Sequence, residues 1–394
     1  VIIGKAQEKE SYLNISAVIN GAKKAQAQFI HPGYGFLSEN SQFAQACISE
    51  DFVFIGPSPQ VIEKMGNKIN ARNAALQANV PIIPGINLSI DRSMAVDFAR
   101  QYGYPVLLKA ASGGGGMGMQ VCNSPAEIEK FFPLLQQKAE RLFRGKDLFI
   151  EKYFPLSHHV EIQIIADQHG NVFHAFEREC SIQRRNQKII EETPSPTIDD
   201  ITRTRMCDCA VSLAKEIGYT NVGTMEFLVD SEKNFYFLEM NTRIQVEHPI
   251  TEVVTGLDLV ELQLQIALGE SLSSLHISKS GHAIEARIYS ENPQKGFLPS
   301  IGTVAEYQEP KIQGIRVDSA IIQGIEMTQY YDPLIAKVIA FADNRDEAID
   351  RMKQGLSQFI ISGVITNKDL LVSLFNHNAF ISGNTPTRFL QEYL

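Results

Sequence analysis

The sequence has no tryptophan, only five cysteines in 394 residues, and no apolar run long enough to cross a bilayer. The cysteines, at positions 47, 122, 180, 207 and 209, form neither a paired metal motif nor a disulfide framework, so we expect a reducing compartment. Positive charge is scarce: a net charge of -9 argues against nonspecific binding to nucleic acid. What remains is an ordinary globular composition, with length for two or three domains.

The chain begins without methionine, at Val1-Ile2-Ile3-Gly4, which reads as a strand already in progress. We therefore expect a fragment that lacks the first part of its N-terminal domain. Such a fragment would expose a sheet edge and dissolve poorly. No targeting signal is visible, and we expect a cytoplasmic protein, or a mitochondrial matrix protein in a eukaryote.

Residues 235–249 are the most informative segment. Read as one strand, the segment sends alternate side chains to opposite faces. One face would carry Glu239, Asn241, Arg243, Gln245 and Glu247. Two acids, two amides and a guanidinium inside an apolar stretch predict a site for a metal, an anion and a proton transfer.

The preceding strand, 224–230, sharpens this prediction. If residues 231–234 are the loop of an antiparallel hairpin, Glu226 lies directly opposite Glu239. Like charges in that position repel, and a divalent cation would remove the cost. Oxygen ligands favour magnesium, and Asn241 could add a third oxygen. The alternative is a solvated face with lysine partners.

The rest of the chain divides into units by its helix and strand patterns. Residues 1–55 predict part of an open α/β sheet, with a ligand-binding loop at 31–40 after a strand end. Residues 56–80 predict a linker helix, and 81–153 a unit whose strands at 105–109 and 119–121 flank a glycine loop, 112–118. The loop is not a Walker A motif, but its glycines would let backbone N–H groups approach phosphate. A flexible linker is the alternative.

Residues 154–394 form the largest predicted unit, with a basic loop at 183–188. Strands are expected at 160–165, 173–181, 283–289 and 314–317, and helices at 201–217, 257–268 and 346–361.

These segments together resemble the ATP-grasp superfamily and, within it, biotin carboxylase. The matches run in order along nearly the whole chain: 31–40, 65–68, Lys109 with its glycine loop, 151–153, 159–163, 177–188, 239–249 and 330–334. Residues 239–248 are highly specific, whereas the glycine loop alone would be weak. Residues 298–302 and 314–319 look like the biotin carboxylase subunit of an acyl-CoA carboxylase. The implied fold mixes α/β and α+β: a partial N-terminal open α/β domain, an ATP-grasp lid and core, and a C-terminal biotin-carboxylase-type domain.

The resemblance also implies an ATP site with magnesium or manganese. The phosphates would be held by Lys68 and Lys109 and covered by Gly115 and Gly116. Adenine would be recognised by Glu151, Lys152, Tyr153 and Phe154, and the nucleotide flanked by His159, Gln183 and Asn186. The metal ligands would be Glu226, Glu239 and Asn241.

The same resemblance implies the chemistry. Bicarbonate would be bound by Lys188, Arg243, Gln245 and the Val246 backbone, with Glu247 as general base. Biotin would meet Tyr34, and Arg316 would stabilise its enolate. Bicarbonate would attack the γ-phosphoryl group to give carboxyphosphate, which breaks down to carbon dioxide and phosphate. Phosphate would then take the biotin ureido proton, and the enolate would attack carbon dioxide.

Elementary chemistry supports two of these roles independently. The guanidinium of Arg243 matches a planar oxyanion bidentately. A carboxylate near that cation, such as Glu247, should stay ionised at neutral pH, as a base must.

Several residues have plainer interpretations. Lys68 could be a solvated helix residue, His159 a satisfied strand histidine, and Arg316 a structural ion-pair partner, while His248 before Pro249 more simply shapes a turn. Two positions depart from the family pattern. Met117 replaces the usual arginine or lysine of the glycine loop, and Asn186 replaces the usual histidine. The first change predicts weaker ATP binding.

The sequence shows no Met-Lys-Met biotinylation motif. Biotin is therefore expected to arrive on a carrier protein or domain, with a carboxyltransferase subunit as a further partner and a homodimer or larger carboxylase complex as the assembly. Neither nucleic acid nor a membrane is an expected partner. Two competing hypotheses stay open: another ATP-grasp ligase that joins a carboxylate to an amine, and a non-catalytic homologue that serves as an assembly subunit.

Overall fold

The computed structural model describes residues 1–86, 88–111, 118–143 and 145–393. Gly115, Gly116 and Met117 of the glycine loop lie outside the described residues, so the predictions made for them stay predictions. Among the described residues, no helix is both long and apolar enough to cross a membrane. All five cysteines are unpaired thiols.

The N-terminal unit is a small α/β layer. Its elements are a 3₁₀ turn (Glu8–Glu10), α1 (Ile15–Lys24), β1 (Phe29–Ile30), α2 (Ser41–Ser49) and β2 (Val53–Phe54). The two strands are parallel, with Phe29 opposite Val53, which confirms the predicted open α/β arrangement. The predicted strand at residues 1–4 is wrong, because these residues join neither β1 nor β2 in a ladder.

The linker contains two helices rather than the single predicted one, α3 (Pro59–Gly66) and α4 (Lys68–Gln77). Asn67 separates them because its backbone is extended and its side chain accepts hydrogen bonds from the N–H groups of Ile69 and Asn70. Lys68 therefore stands at the first position of α4.

The lid unit is a four-stranded sheet covered by two helices. Its elements are β3 (Gly85–Ile86), α5 (Arg92–Tyr102), β4 (Val106–Ala110), β5 (Met119–Cys122), α6 (Pro125–Phe143) and β6 (Leu148–Lys152), with strand order β3-β6-β4-β5. Strands β4 and β5 pair antiparallel, with Lys109 opposite Met119, so the two strands that flank the glycine loop form the predicted hairpin. The core lies between sheet and helices, around Phe98, Leu108 and Ile128.

The largest unit is built on one eight-stranded antiparallel sheet. Its strands are β7 (Ser157–Ala166), β8 (Val172–Arg184), β9 (Gln187–Thr193), β10 (Asn221–Asp230), β11 (Phe235–Asn241), β12 (His282–Tyr289), β17 (Ile315–Asp318) and β19 (Leu334–Ala342). Their spatial order is β11-β10-β7-β8-β9-β12-β19-β17. One continuous sheet thus joins the β10–β11 hairpin to the C-terminal strands β12, β19 and β17.

Helices and short strands pack against this sheet and complete two large hydrophobic cores. The helices are α7 (Asp200–Glu216), α8 (His248–Thr255), α9 (Leu259–Ala267), a 3₁₀ turn (Pro293–Lys295), α10 (Arg345–Gln358), α11 (Lys368–Phe375), α12 (Asn378–Ile381) and α13 (Phe389–Tyr393). The short strands are β13 (Glu291–Asn292), β14 (Leu298–Pro299), β15 (Gly302–Thr303), β16 (Glu306–Gln308), β18 (Glu326–Met327) and β20 (Ile360–Ser362). Helices α7 and α10 cover the two halves of the sheet.

Two local predictions need correction. The strand expected over 235–249 ends at Asn241, and helix α8 begins at His248, because Pro249 suits the first turn of a helix and not a sheet interior. The basic loop expected at 183–188 is a tight hairpin turn between β8 and β9, with Gln183 opposite Lys188. Arg185 and Asn186 make this turn, with φ of 51° and 64°.

Candidate active site

The β10–β11 hairpin places two acids on one face, as predicted. Glu226 and Glu239 are directly opposed in the ladder, and a bulge follows Glu226. The Glu226 side chain is 8% exposed, whereas that of Glu239 is 41% exposed. Lys68 Nζ lies 3.6 Å from Glu239 Oε2, so the start of helix α4 lies at this face.

Glu226 is the meeting point of four polar side chains. Its Oε1 accepts from Asn241 Nδ2 at 2.8 Å, Gln245 Nε2 at 2.9 Å and Lys188 Nζ at 3.0 Å. His159 Nε2 lies 3.1 Å from Oε2. Burial acts to raise the pKa of Glu226, but the charges of Lys188 and His159 outweigh it and hold the pKa well below its ordinary value.

Lys188 links the predicted metal face to the predicted base. Its Nζ donates to Glu161 Oε2 at 2.6 Å, to Glu226 at 3.0 Å and to Glu247 Oε1 at 2.6 Å. Burial acts to lower the pKa of Lys188, but the surrounding anionic groups raise it well above its ordinary value. Lys188 is therefore a permanently charged ammonium group beside carboxylates from three different segments.

The segment after Asn241 reaches the site as a loop. Arg243 turns to Glu39 of the N-terminal unit, with Nε 2.9 Å from Oε2, and donates from Nη2 to Asn241 Oδ1 at 2.9 Å. Gln245 and Glu247 turn inward and are 4% and 2% exposed. The prediction that residues 239–247 form one strand face is therefore wrong. The side chains of Gln245 and Glu247 nevertheless reach the Lys188 cluster, that is, Lys188 with its partners Glu161, Glu226 and Glu247.

Glu247 is a buried carboxylate held from both sides by cations. Lys188 donates to Oε1, and Arg287 Nη2 donates to Oε2 at 2.8 Å. Burial acts to raise the pKa of Glu247, but Lys188, Arg287 and Arg178 outweigh it and depress the pKa. Glu247 is thus an ionised acceptor throughout the neutral range, as expected for a general base.

Arg178 on β8, which the sequence analysis missed, holds several of these side chains in place. It is 0% exposed and donates to Glu161 at 2.5 Å, Gln163 at 2.6 Å and Gln245 at 3.0 Å. It also donates to the Thr224 and Thr251 hydroxyl groups. A single arginine thus fixes three strands and the Gln245 loop.

Removal of Arg178 should be severely destabilising. We expect Arg178→Met to lower the free energy of unfolding by about 3–5 kcal/mol, because it leaves Glu161 buried with one cation fewer. Urea unfolding measures the loss. The exposed Arg205 provides the matched control: Arg205→Met should change the value by about 0.5 kcal/mol or less. A loss for Arg178→Met no larger than that of the control would contradict this prediction.

The predicted nucleotide residues lie along the lid and the linker. Glu151 is 2% exposed, and its carboxylate contacts Arg72 and, at 2.5 Å, Lys109 Nζ. Lys152 Nζ donates to the carbonyl groups of Gly103 and Tyr104, and the Phe154 ring stacks on Tyr236 with centroids 5.2 Å apart. Each oxygen of the Glu151 carboxylate contacts one cation, Arg72 on α4 or Lys109 on β4. The Glu151 side chain therefore links the lid sheet to the linker helix α4. Tyr153 follows on the chain, where its N–H donates to the Pro105 carbonyl.

His159 and Gln183 lie together at the edge of the Glu226 cluster. Gln183 Nε2 is 3.1 Å from His159 Nδ1, and the His159 N–H donates to the Ser181 hydroxyl. His159 is therefore a positioned side chain rather than an isolated strand histidine. Asn186, by contrast, is exposed at the tip of the β8–β9 turn.

Among the described contacts Arg287 meets the base directly, whereas Arg316 does not. Arg316 donates to Glu252 at 2.7 Å and to both oxygens of Asp318 at 2.7 and 2.9 Å. It is thus bound by two carboxylates on β17 and α8, as in the plainer interpretation of this residue. Arg287, which the sequence analysis did not single out, contacts Glu247 directly. Tyr34 is 41% exposed in the loop after β1.

The donor set suits a hard divalent cation. Glu226 and Glu239 offer carboxylate oxygens and Asn241 an amide oxygen, the ligand types that magnesium prefers. Here the Asn241 oxygen accepts from Arg243, and Glu226 is paired with Lys188 and His159. A bound ion would compete with these cations for the same oxygens, so metal binding and the protein's own ion pairs are coupled.

This fold and this arrangement of acids, lysines and a lid hairpin define an ATP-grasp enzyme. Residues 67–275 match the family described as the carbamoyl-phosphate synthase L chain, ATP binding domain. Residues 1–62 match the biotin carboxylase N-terminal domain, and residues 285–392 match the biotin carboxylase C-terminal domain. The chain belongs to the biotin carboxylase family of ATP-grasp ligases.

Individual relatives agree with this assignment. Biotin carboxylase 2 of Bacillus subtilis is 49% identical over 100% of this chain and 89% of its own length. The mitochondrial propionyl-CoA carboxylase alpha chain of Homo sapiens is 47% identical over 100% of this chain and 54% of its own. A solved biotin carboxylase domain dimer of the Hydrogenobacter thermophilus 2-oxoglutarate carboxylase, in complex with MgADP, ADP and bicarbonate, superposes with a TM-score of 0.95. It is 44% identical and covers 100% of this chain and 87% of that one.

Proposed function

We propose that this chain carboxylates biotin with bicarbonate at the expense of ATP, the first half-reaction of a biotin-dependent carboxylase. The observation that carries the proposal is the buried Lys188 cluster, in which one ammonium group joins Glu226 to Glu247. Glu226, a proposed metal ligand, and Glu247, the proposed base, thus both contact Lys188, the proposed bicarbonate-binding cation. Phosphoryl transfer to an oxyanion whose proton is removed during the attack is favoured by this combination.

ATP binding is assigned to the face between the lid and the β10–β11 hairpin. Lys68 and Lys109 would neutralise the phosphates, with Gly115 and Gly116 above them, and the segment 151–154 would contact the adenine. Glu226, Glu239 and Asn241 would hold Mg²⁺ or Mn²⁺. The ion would supply charge neutralisation at the phosphates. His159, Gln183 and Asn186 would line the sugar side.

Bicarbonate binding is assigned to Lys188, Arg243, Gln245 and the Val246 backbone. The Val246 carbonyl already accepts from Lys337 at 2.9 Å, so its N–H is the group left for an anion. Glu247 would take the bicarbonate proton as the oxyanion attacks the γ-phosphoryl group. Carboxyphosphate would then give carbon dioxide and phosphate, and phosphate would take the ureido proton of biotin.

Two arginines compete for the biotin enolate. The family resemblance favours Arg316, with Tyr34 beside the biotin. Arg287 has the direct contact with the base, but its side chain is 8% exposed and pairs with Glu191 and Glu247, whereas that of Arg316 is 38% exposed and pairs with Glu252 and Asp318. We assign the enolate-stabilising role to Arg287 and treat Arg316 as the alternative.

Biotin is expected on a carrier protein or domain that delivers it to this site, with a carboxyltransferase as the next partner. The family relationships support assembly in a carboxylase complex, and a homodimer is the simplest assembly to test. The acyl acceptor is set by the carboxyltransferase and not by this site.

The decisive assay is ATP cleavage that depends on bicarbonate and is stimulated by free biotin. We expect phosphate release to require both bicarbonate and Mg²⁺ and to rise with biotin. Stimulation by an amino acid or another amine in place of biotin would favour a carboxylate–amine ligase. Nucleotide binding without turnover would favour a non-catalytic assembly subunit.

A smaller effect is expected at the contact between the N-terminal unit and Arg243. Glu39 accepts from Arg243 Nε and from the Thr242 N–H at 3.2 Å, so it aims the bicarbonate arginine. We expect Glu39→Gln to raise the KM for bicarbonate about two- to fivefold with little change in kcat, as suits a half-exposed ion pair. Glu50→Gln, which removes the carboxylate partner of Lys23 at a similar exposure (45% against 39% for Glu39), is the control. An unchanged KM for Glu39→Gln would sink the idea.

A further inference from the structure

A second pair of acids lies behind the base, and no role proposed above uses it. Glu191 on β9 and Glu285 on β12 are directly opposed in the antiparallel ladder, and both are 0% exposed. Both Glu285 oxygens and Oε2 of Glu191 have no hydrogen-bond partner among the described residues. Two adjacent carboxylates without donors are costly inside a sheet, so the pair requires an explanation.

Arg287 lies between this pair and Glu247. It contacts Glu191, and its Nε lies 3.9 Å from Glu285 Oε1. The same guanidinium group donates to Glu247 at 2.8 Å. Three carboxylates therefore converge on one arginine, which cannot balance all of them as anions.

The other cations nearby are already paired. Lys188 serves Glu161, Glu226 and Glu247, and Arg178 serves Glu161. Lys337, on the next strand, lies 3.4 Å from Asp318 and donates to the Val246 carbonyl. Its charge acts to lower the pKa of Glu285, but burial and the negative charge of Glu191 outweigh it.

The neighbouring titratable side chains add no charge. Burial, helped by Lys337, lowers the pKa of His248 on α8 to about 4, and burial raises the pKa of Tyr289 to about 12. Both side chains are therefore neutral near pH 7. Two ionised acids at positions 191 and 285 would thus leave uncompensated negative charge in the core.

We propose that Glu191 and Glu285 share a single proton, and that this singly charged pair positions Arg287 against Glu247. The proposal rests on the proposed function, because it assigns these acids a role through the base of that reaction. Burial raises the pKa of Glu191 to about 7 and that of Glu285 well above its ordinary value, which agrees with a proton retained between them.

The shared charge sets how strongly Arg287 pairs with the base. One negative charge on the acid pair holds the guanidinium group of Arg287 in place and only partly offsets the effect of its positive charge on Glu247. Loss of both charges would direct the guanidinium group at Glu247 alone and lower the pKa of the base. A second ionisation would have the opposite effect and raise it.

A direct test is the infrared signature of a protonated, buried carboxyl group. Difference spectra of the whole chain at neutral pH, wild type against Glu191→Gln and against Glu285→Gln, should show this band in the wild type and its loss in each variant. The remaining acid takes over the single negative charge in each case. A band that persists in either variant, or that is absent from the wild type, would overturn the shared proton. This readout does not depend on turnover.

The second test is the split between kcat and KM in bicarbonate-dependent ATP cleavage at neutral pH. The single variants keep the pair's charge, so their kcat should stay close to that of the wild type. The double variant Glu191→Gln/Glu285→Gln should lower kcat about three- to tenfold and leave the KM for ATP unchanged, because a base that loses its negative neighbours has a lower pKa and takes the bicarbonate proton less readily. An unchanged kcat in the double variant would refute the positioning role. A double variant without activity would refute it as well, provided that the single variants are active.

A control separates positioning from simple destabilisation. Glu192, on the same strand, is 2% exposed and pairs with His282 and Arg345 away from Glu247. Glu192→Gln should reduce the melting temperature and leave kcat close to that of the wild type. If Glu247→Gln keeps wild-type activity, Glu247 is not the general base and the proposed function is contradicted, whatever the infrared result.

Discussion

Glu247→Gln should nearly abolish ATP cleavage in the presence of bicarbonate. We expect kcat to fall by about 10²–10⁴-fold, the usual contribution of a positioned general base. The amide has the same shape but cannot take the proton of bicarbonate, and its NH₂ group cannot accept from Lys188 or Arg287. Phosphate release under saturating ATP, bicarbonate and biotin measures the loss.

Nucleotide binding provides the check on this result. The Glu247 carboxylate is held by Lys188 and Arg287, which are assigned to bicarbonate and biotin rather than to the nucleotide, so the affinity for ATP should change little. Glu192→Gln serves again as the buried-acid control and should keep most of the activity. Retention of more than about a tenth of kcat by Glu247→Gln would place the base elsewhere.

The same substitution should change the pH dependence of stability. Because the folded state depresses the pKa of Glu247, its ion pairs add stability above the ordinary glutamate pKa, and this stability is lost as the pH falls through the folded value. In Glu247→Gln this share of the acid-induced loss should disappear. Thermal unfolding of both proteins between neutral and acidic pH would measure it.

The opposed acids could be predicted from sequence partly because two local deviations cancel. The predicted loop had four residues, but Val229 pairs with Phe235 and leaves five residues, 230–234, in the turn. The bulge after Glu226 restores the register, so that Glu226 still faces Glu239. Residue counting thus reached the correct pair through an incorrect turn, because a bulge cannot be deduced from such short strands.

The remainder of the site depends on contacts between distant segments, which periodicity does not encode. Arg178, Glu161 and Glu39 were missed because each acts through a partner from another segment. The loop 242–247 was misread as strand because its polar residues alternate, although Pro249 marks a helix start. Pro249 could have revealed the end of the strand, because proline suits the first turn of a helix and not the interior of a sheet.

The choice between Arg287 and Arg316 follows from sheet order. Both arginines lie in strand-like segments, and the family resemblance alone led to Arg316. In the folded chain β12 neighbours β9, which carries Lys188, whereas β17 lies at the sheet edge two strands beyond β12. At about 4.8 Å per strand, that places the Arg316 strand roughly 14 Å from β9. Non-sequential neighbours of this kind become visible only when the sheet is assembled.

Replacement of these two arginines should therefore have unequal effects. We expect Arg287→Met to lower the kcat of biotin-dependent turnover by about 10²–10³-fold, the scale for removal of one preorganised charge from a developing anion. Arg316→Met should cost at least about tenfold less, because its guanidinium group is bound by Glu252 and Asp318 and makes no described contact with Glu247. Carboxybiotin formation from free biotin measures both.

Loss of Arg287 also leaves buried acids without their cation, so stability must be followed in parallel. Arg287→Lys keeps the charge in the core and loses the planar guanidinium group, whose Nη2 contacts both Glu191 and Glu247. It should therefore fold, bind ATP and recover only part of kcat, which separates the chemical role from unfolding. If Arg316→Met were the more damaging change while Arg287→Lys kept full activity, biotin would be bound at the edge strand, as the resemblance suggests, and the contact between Arg287 and Glu247 would be purely structural.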